Sequence, residues 1–195
     1  MARLPLVYPR IPDNGVYIPG AKSIEGATGD TARTTPGWIE DEKYKWYASQ
    51  TATAWSCEFD TAITRTGLKT LKVSTTDITG RISVIPADTE TWPQKSRYMP
   101  GIKPSTAYIL SCYVKTTNAV ANGVYLRFLQ FDVAGTYLTE TLSNKLSGTV
   151  DWTLCTASFT SEATARYGWI ECRNFLAGNI SDSWWDVNSM TLVQT

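Results

Sequence analysis

The sequence predicts an all-β protein, an antiparallel β-sandwich preceded by an extended N-terminal arm. Three observations predict it. No stretch carries apolar residues at i, i+3, i+4 and i+7 over three turns, so amphipathic helices are not expected. The chain is rich in Thr, Val, Ile, Tyr and Trp, the residues that suit a pleated, half-buried surface. Alternating segments recur between Gly, Pro, Asn and Asp, with no helical crossover to join parallel strands.

The arm is residues 1–22. It carries Pro5, Pro9, Pro12 and Pro19 with Gly15 and Gly20. Proline fixes φ and removes a ladder donor, so this stretch reads as extended chain lying on its own domain or on a neighbour. The domain is then 23–195. Its expected strands are AWSCEFD (54–60), LKTLKVST (68–75), GRISVIPA (80–87), AYILSCYVKT (107–116) and GVYLRFLQFD (123–132). DWTLCTASFT (151–160), ARYGWIECR (165–173) and WWDVNSMTLV (184–193) follow. TETWPQKSRYMPG (89–101) reads as a long loop.

Alternation assigns faces. In 107–116, Tyr108, Leu110, Cys112 and Val114 point to the core and Ile109, Ser111, Tyr113 and Lys115 point away. In 123–132, Val124, Leu126 and Phe128 are inward and Tyr125, Arg127 and Leu129 outward. In 165–173, Ile170 and Cys172 are inward, leaving Tyr167, Trp169, Glu171 and Arg173 outside. Trp152, at the start of its strand, is expected in the core.

Composition excludes several classes. Lys+Arg and Asp+Glu are equal at 18 each, so no net field attracts nucleic acid or anionic membrane. No apolar run reaches the roughly 20 residues of a membrane helix. The start of the chain lacks a signal-peptide apolar segment, so the chain is expected to be made in the host cytoplasm. There is no histidine, which removes Ser-His and Cys-His nucleophile pairs and the commonest metal ligand. Cys57, Cys112, Cys155 and Cys172 form no CxxC pair and read as buried core thiols. A disulfide needs a proximity that spacing alone does not give.

Five segments, taken in order, resemble the CenC-type carbohydrate-binding module. They are GLKTLKVST (67–75), IKPSTAYILSCYVKT (102–116), VYLRFLQFDVAGTYL (124–138), TVDWTLCTASFT (149–160) and SWWDVNSMTL (183–192). The resemblance covers about 23–195 and implies a jelly roll of two antiparallel sheets. The sequence departs from the family at Ser105, where Gly is usual, and in the closing strand, where one acid precedes Val187. The resemblance also implies a structural calcium held by Glu25, Asp186 and the carbonyls of Thr66 and Gly67. Calcium takes six to eight hard oxygens, which such a set would begin to supply. Asp186 would then pin the closing strand, with Trp184 and Trp185 on opposite sides of the sheet.

The outward aromatics beside charged groups suggest a sugar-binding face: Tyr113, Tyr125, Arg127, Trp169, Glu171 and Arg173, flanked by Trp92. Aromatic rings stack on sugar C–H faces, and charged groups bond the hydroxyls. Such a face also suits a covered interface. Glu171 is its one acid, and nothing singles out a partner among Asp132, Glu140 and Asp186, so two-carboxylate catalysis is not expected.

The resemblance extends to modules found in polysaccharide-degrading enzymes and in bacteriophage structural proteins. The expected function is a non-catalytic virion protein, a head-decoration, fibre or tail component with the jelly roll displayed outward. It would contact other virion proteins through its arm, and cell-surface or polymeric carbohydrate through its face, as a homo-oligomer on the particle. The alternatives are a carbohydrate-binding module of a polysaccharide-degrading enzyme and a jelly-roll glycan lyase or hydrolase.

Overall fold

The computed structural model describes residues 37–40, 45–50, 55–67, 70–75, 79–86, 101–177 and 181–195. The arm at 1–22, Glu25, Trp92 and nearly all of the 89–101 loop lie outside the described residues. The described residues form ten strands and no helix. These are β1 (Gly37–Glu40), β2 (Lys45–Gln50), β3 (Trp55–Asp60), β4 (Thr70–Thr75) and β5 (Thr79–Pro86). Then come β6 (Ala107–Phe131), β7 (Tyr137–Leu142), β8 (Leu146–Thr160), β9 (Tyr167–Ala177) and β10 (Ser181–Gln194).

The spine is β6, a strand of 25 residues. Its first half pairs with β10 and β8, and its second half with β9 and β7. Outward from β10 lie β4 and β3; outward from β9 lie β5, β2 and β1. Every pairing is antiparallel. The chain is thus an antiparallel β-sandwich of jelly-roll type, with β6 shared between a first layer (β3, β4, β10, β8) and a second (β1, β2, β5, β9, β7).

Sequence reading splits β6 into two strands because TTNAVANG looks like a turn. The structure runs straight through it. Asn118 and Asn122 take left-handed backbone, at φ 54 and 58°, which Asn tolerates better than most residues. Carbonyl partners are lost there, and hydroxyls of β8 replace them. The Asn118 N–H donates to Thr149 Oγ1 at 3.1 Å and the Asn122 N–H to Ser147 Oγ at 2.7 Å. The register shifts across this stretch accompany the bend of one strand from layer to layer.

The other differences concern strands with weak apolar patterns. β1, β2 and β7 are additional, and β8 begins at Leu146 rather than 151. β7 follows the Asp-x-x-Gly turn at 132–136. There Asp132 Oδ1 accepts the N–H groups of Ala134 and Thr136, both at 2.8 Å, and Gly135 takes φ 87°.

The inward faces expected for β6 and β9 are the ones found. Leu110, Cys112, Val114, Val124, Leu126, Phe128, Ile170 and Cys172 join Leu71, Val73, Trp185 and Leu192 in one buried cluster. Phe128 stacks on Phe159 across the core with centroids 4.4 Å apart, and Phe159 continues onto Tyr108. The four cysteines are buried and free, Cys112 directly opposite Cys155. Burial pushes the Cys155 thiol up to about 11 and raises the other three well above the ordinary range. Trp152 is a correction: it is half-buried and stands outside the core cluster. Thr153 is the residue in register with core Val114, and alternation turns Trp152 the other way.

Candidate functional site

The second layer's outer face is built by cross-strand pairing of β6 with β9. Tyr125 stands opposite Arg173, Arg127 opposite Glu171, and Leu129 opposite Trp169. One carboxylate organises the centre. Glu171 Oε2 accepts from Arg127 Nη1 at 3.0 Å and from Arg173 Nη1 at 2.9 Å. Arg127 turns its other edge to Glu140 of β7, donating from Nε at 2.7 Å and also from Nη2. Two guanidiniums and two carboxylates thus alternate across three strands. Burial alone would lower the Arg127 pKa, but the charge of Glu171 and the bond to Glu140 outweigh it and raise it.

The floor and margin of this face differ. Trp169, Glu171 and Arg173 are buried. The Arg127 and Glu140 side chains are 19% and 36% exposed. Trp169 leans on Phe131 with centroids 6.2 Å apart, and Phe131 meets Tyr137 edge-on at 6.1 Å. Tyr137 is 46% exposed. The ammonium of Lys145 lies 5.2 Å from the Tyr125 ring centroid. The solvent-facing part of the cluster therefore includes the Arg127–Glu140 pair, with Tyr137 exposed farther along the same strand pair, opposite Phe131.

Of the residues expected on one sugar-binding face, Tyr125, Arg127, Trp169, Glu171 and Arg173 come together. Tyr113 does not. β6 changes layers between positions 113 and 125, so outward residues in its two halves face opposite sides of the sandwich. Lys145, Phe131 and Tyr137 are additions from the structure, and Glu140, weighed in the sequence only as a carboxylate partner for Glu171, joins the face through Arg127. The signal that finds Glu140 is the turn at 132–136, which folds β7 back beside β6 and sets Glu140 opposite Leu129.

A second cluster surrounds the end of the chain. Trp185 enters the core, its Nε1 donating to Ser183 Oγ at 3.0 Å. Trp184 faces the other way, and its Nε1 donates to Asp60 Oδ2 at 2.8 Å. Asp186 is 0% exposed, and its Oδ2 meets Arg65 Nη1 at 3.1 Å. The Arg65 guanidinium carbon lies 3.6 Å from the Tyr113 ring centroid. The calcium that the resemblance implies would need its oxygens here. Among the described residues, no group of three or more His, Cys, Asp or Glu side chains is placed to hold a metal. Thr66 and Gly67 are exposed, and the cation beside Asp186 is a guanidinium. Of the two expected carboxylates only Asp186 lies among the described residues, where its charged neighbour is a guanidinium; Glu25 is outside them.

No family model and no curated protein matches the chain. Solved structures do. One is the enzymatically active domain of bacteriophage CBA120 tailspike protein 4, with TM-score 0.51 and 11% identity over 77% of this chain and 19% of that one. Another comes from the carbohydrate-binding modules of the β-sandwich superfamily, with TM-score 0.50 and 12% identity over 76% of this chain and 56% of that one. The fold is a jelly roll of the carbohydrate-binding-module type. A third match is an arabinose-bound α-L-arabinofuranosidase, MgGH51, with TM-score 0.50 and 12% identity over 89% of this chain and 26% of that one. The chain therefore spans a fifth to just over half of these structures, and at such identities the likeness is one of fold alone.

Proposed function

We propose that the chain is a non-catalytic virion structural protein, a head-decoration, fibre or tail component, whose jelly roll recognises carbohydrate at the margin of its second layer. One observation carries the reading: the β6–β7 pair leaves Tyr137 exposed and the Arg127–Glu140 pair partly open along its length, with Trp169, Glu171 and Arg173 buried beside them. A ring for stacking next to fixed donors and acceptors is the chemistry that sugar recognition requires. The fold supports it, being shared with carbohydrate-binding modules and with a phage tailspike domain. The Pro-rich first 22 residues suit attachment to a particle.

Hydrolysis is disfavoured by the same geometry. Glycoside cleavage needs two carboxylates facing across the bond, one free to give a proton and one to attack or activate water. Here Glu171 is buried between two guanidiniums, and Glu140 is bound to one of them.

The alternative, a module of a polysaccharide-degrading enzyme, uses the same face and differs in what carries it. The experiment is deletion of 1–22 in a chain expressed during particle assembly. Loss of the truncated chain from purified particles, with carbohydrate retention unchanged, supports the virion role. Equal incorporation with and without the arm removes it.

A further inference from the structure

We propose that Arg65 is the built-in cation of the closing strand, so that the chain holds the junction between its β3–β4 loop and β10 without bound metal. Asp186 lies on the outward side of β10, wholly buried. A carboxylate removed from water needs a compensating positive charge. The expected source was calcium. The geometry supplies Arg65 instead, in contact with Asp186 Oδ2 and flat enough to stack on Tyr113. Arginine's planar, weakly hydrated guanidinium is suited to pairing a carboxylate and covering a ring at once.

The loop is built to present that side chain. At its start Asp60 Oδ1 accepts the N–H groups of Ala62 and Ile63 at 2.7 and 3.2 Å. At its end Thr70 Oγ1 donates to the Ile63 carbonyl at 2.7 Å. Trp184, two residues before Asp186 on the same face, holds Asp60 from β10. On the strand side, β10 bulges after Asp186. Ser189 turns back there, donating from Oγ to the Asp186 carbonyl at 2.6 Å and accepting the Tyr113 N–H at 3.2 Å. Loop and bulge are thus each fixed independently, and Arg65 and Asp186 meet between them. Asp186 Oδ1 has no hydrogen-bond partner, so the carboxylate's compensation in the described residues rests on the single contact to Arg65. A divalent ion on the same carboxylate would sit beside a fixed like charge.

The test uses the full chain. Thermal unfolding is recorded in EGTA and in excess CaCl2, and terbium luminescence excited through tryptophan reports any lanthanide held near Trp184. The wild-type midpoint is expected to be the same in both, with no saturable terbium signal. Arg65→Met is expected to lower the midpoint by roughly 3–8 °C, and Arg65→Lys by less. In Asp186→Asn, Arg65→Met should cost much less than in the wild type, because the two residues act as a pair. A calcium-dependent rise in the wild-type midpoint, or a saturable terbium signal, overturns the proposal. So does an Arg65→Met midpoint equal to wild type. The wild-type measurements decide the question even if a variant fails to fold.

Discussion

Arg127 of β6 and Glu171 of β9 stand directly opposite each other and are joined at 3.0 Å, and the same Glu171 oxygen holds Arg173 at 2.9 Å. Arg173 and Glu171 are almost wholly buried. Removing the carboxylate charge takes from two guanidiniums the buried acceptor they share, and breaking a buried ion pair costs about 3 kcal/mol or more. Glu171→Gln is therefore expected to lower the free energy of unfolding by about that amount in urea titration. Glu171→Gln combined with Arg173→Met should cost less than the two single changes added together, since the two side chains act as a pair.

Gly168 sits under the Phe128 ring. A Cβ there would lie 2.0 Å from the ring's tip, and that ring is itself packed on Phe159. Phe128 is fully buried, so either its ring or β9 must shift to accept the added carbon. The expected loss is about 2–3 kcal/mol by overpacking. Phe128→Leu in the same chain should restore part of it, measured by the same titration.

Ser105 carries φ 48° in the turn that leads into β6. A non-glycine residue in left-handed backbone costs about 1–2 kcal/mol, and the turn is otherwise well held. Tyr108 Oη accepts the Lys103 N–H at 2.8 Å, and Ser161 Oγ accepts the Thr106 N–H at 2.9 Å. Ser105→Gly relieves the strain, partly offset by the greater freedom of glycine in the unfolded chain. A net gain of about 0.5–1 kcal/mol is expected, seen as a midpoint about 1–4 °C higher in calorimetry.

Asp60 ties the loop to Trp184 in a pH-dependent way. Burial pushes its carboxyl up, but the Trp184 indole N–H and the N–H groups of Ala62 and Ile63 outweigh this and hold it below the usual range. A depressed folded value means stability that is present above the unfolded value of about 3.9 and is lost as pH falls through the folded one. Acid should therefore loosen the Trp184 side of β10. Asp60→Asn is expected to flatten the fall in stability below pH 4, and tryptophan emission followed against pH checks it.

Much of the fold was legible because alternation is a local property. Leu110, Cys112 and Val114, or Ile170 and Cys172, declare their side within one strand, and so does the split between Trp184 and Trp185. The continuity of β6 was not legible. Asn118 and Asn122 signal a turn, and contacts from β8 some 25–31 residues on, the hydroxyls of Ser147 and Thr149 among them, keep the strand paired through them. That one crossing separates Tyr113 from Tyr125, which share a strand and appeared to share a face. Charge was the other blind spot. Nothing near Glu171 in the chain announces Arg127, 44 residues away, and nothing near Asp186 announces Arg65, at a separation of 121. Such pairs are set by strand register, which depends on every turn between them.

The central claim is that the Arg127–Glu140–Tyr137 margin binds carbohydrate. Its most direct test is affinity electrophoresis of the full chain through a panel of plant, microbial and cell-surface polysaccharides, beside Tyr137→Ala and Arg127→Lys. Tyr137 is exposed, so Tyr137→Ala should unfold near the wild-type midpoint. Arg127→Lys keeps the charge but loses part of the bonding to Glu140 and Glu171, so its retardation is compared after its fold is verified by circular dichroism. The account predicts that at least one polysaccharide retards the wild type and that each variant binds it roughly tenfold more weakly, the loss of about 1.4 kcal/mol. Retardation by none of the polysaccharides, or retardation that both folded variants keep in full, contradicts it.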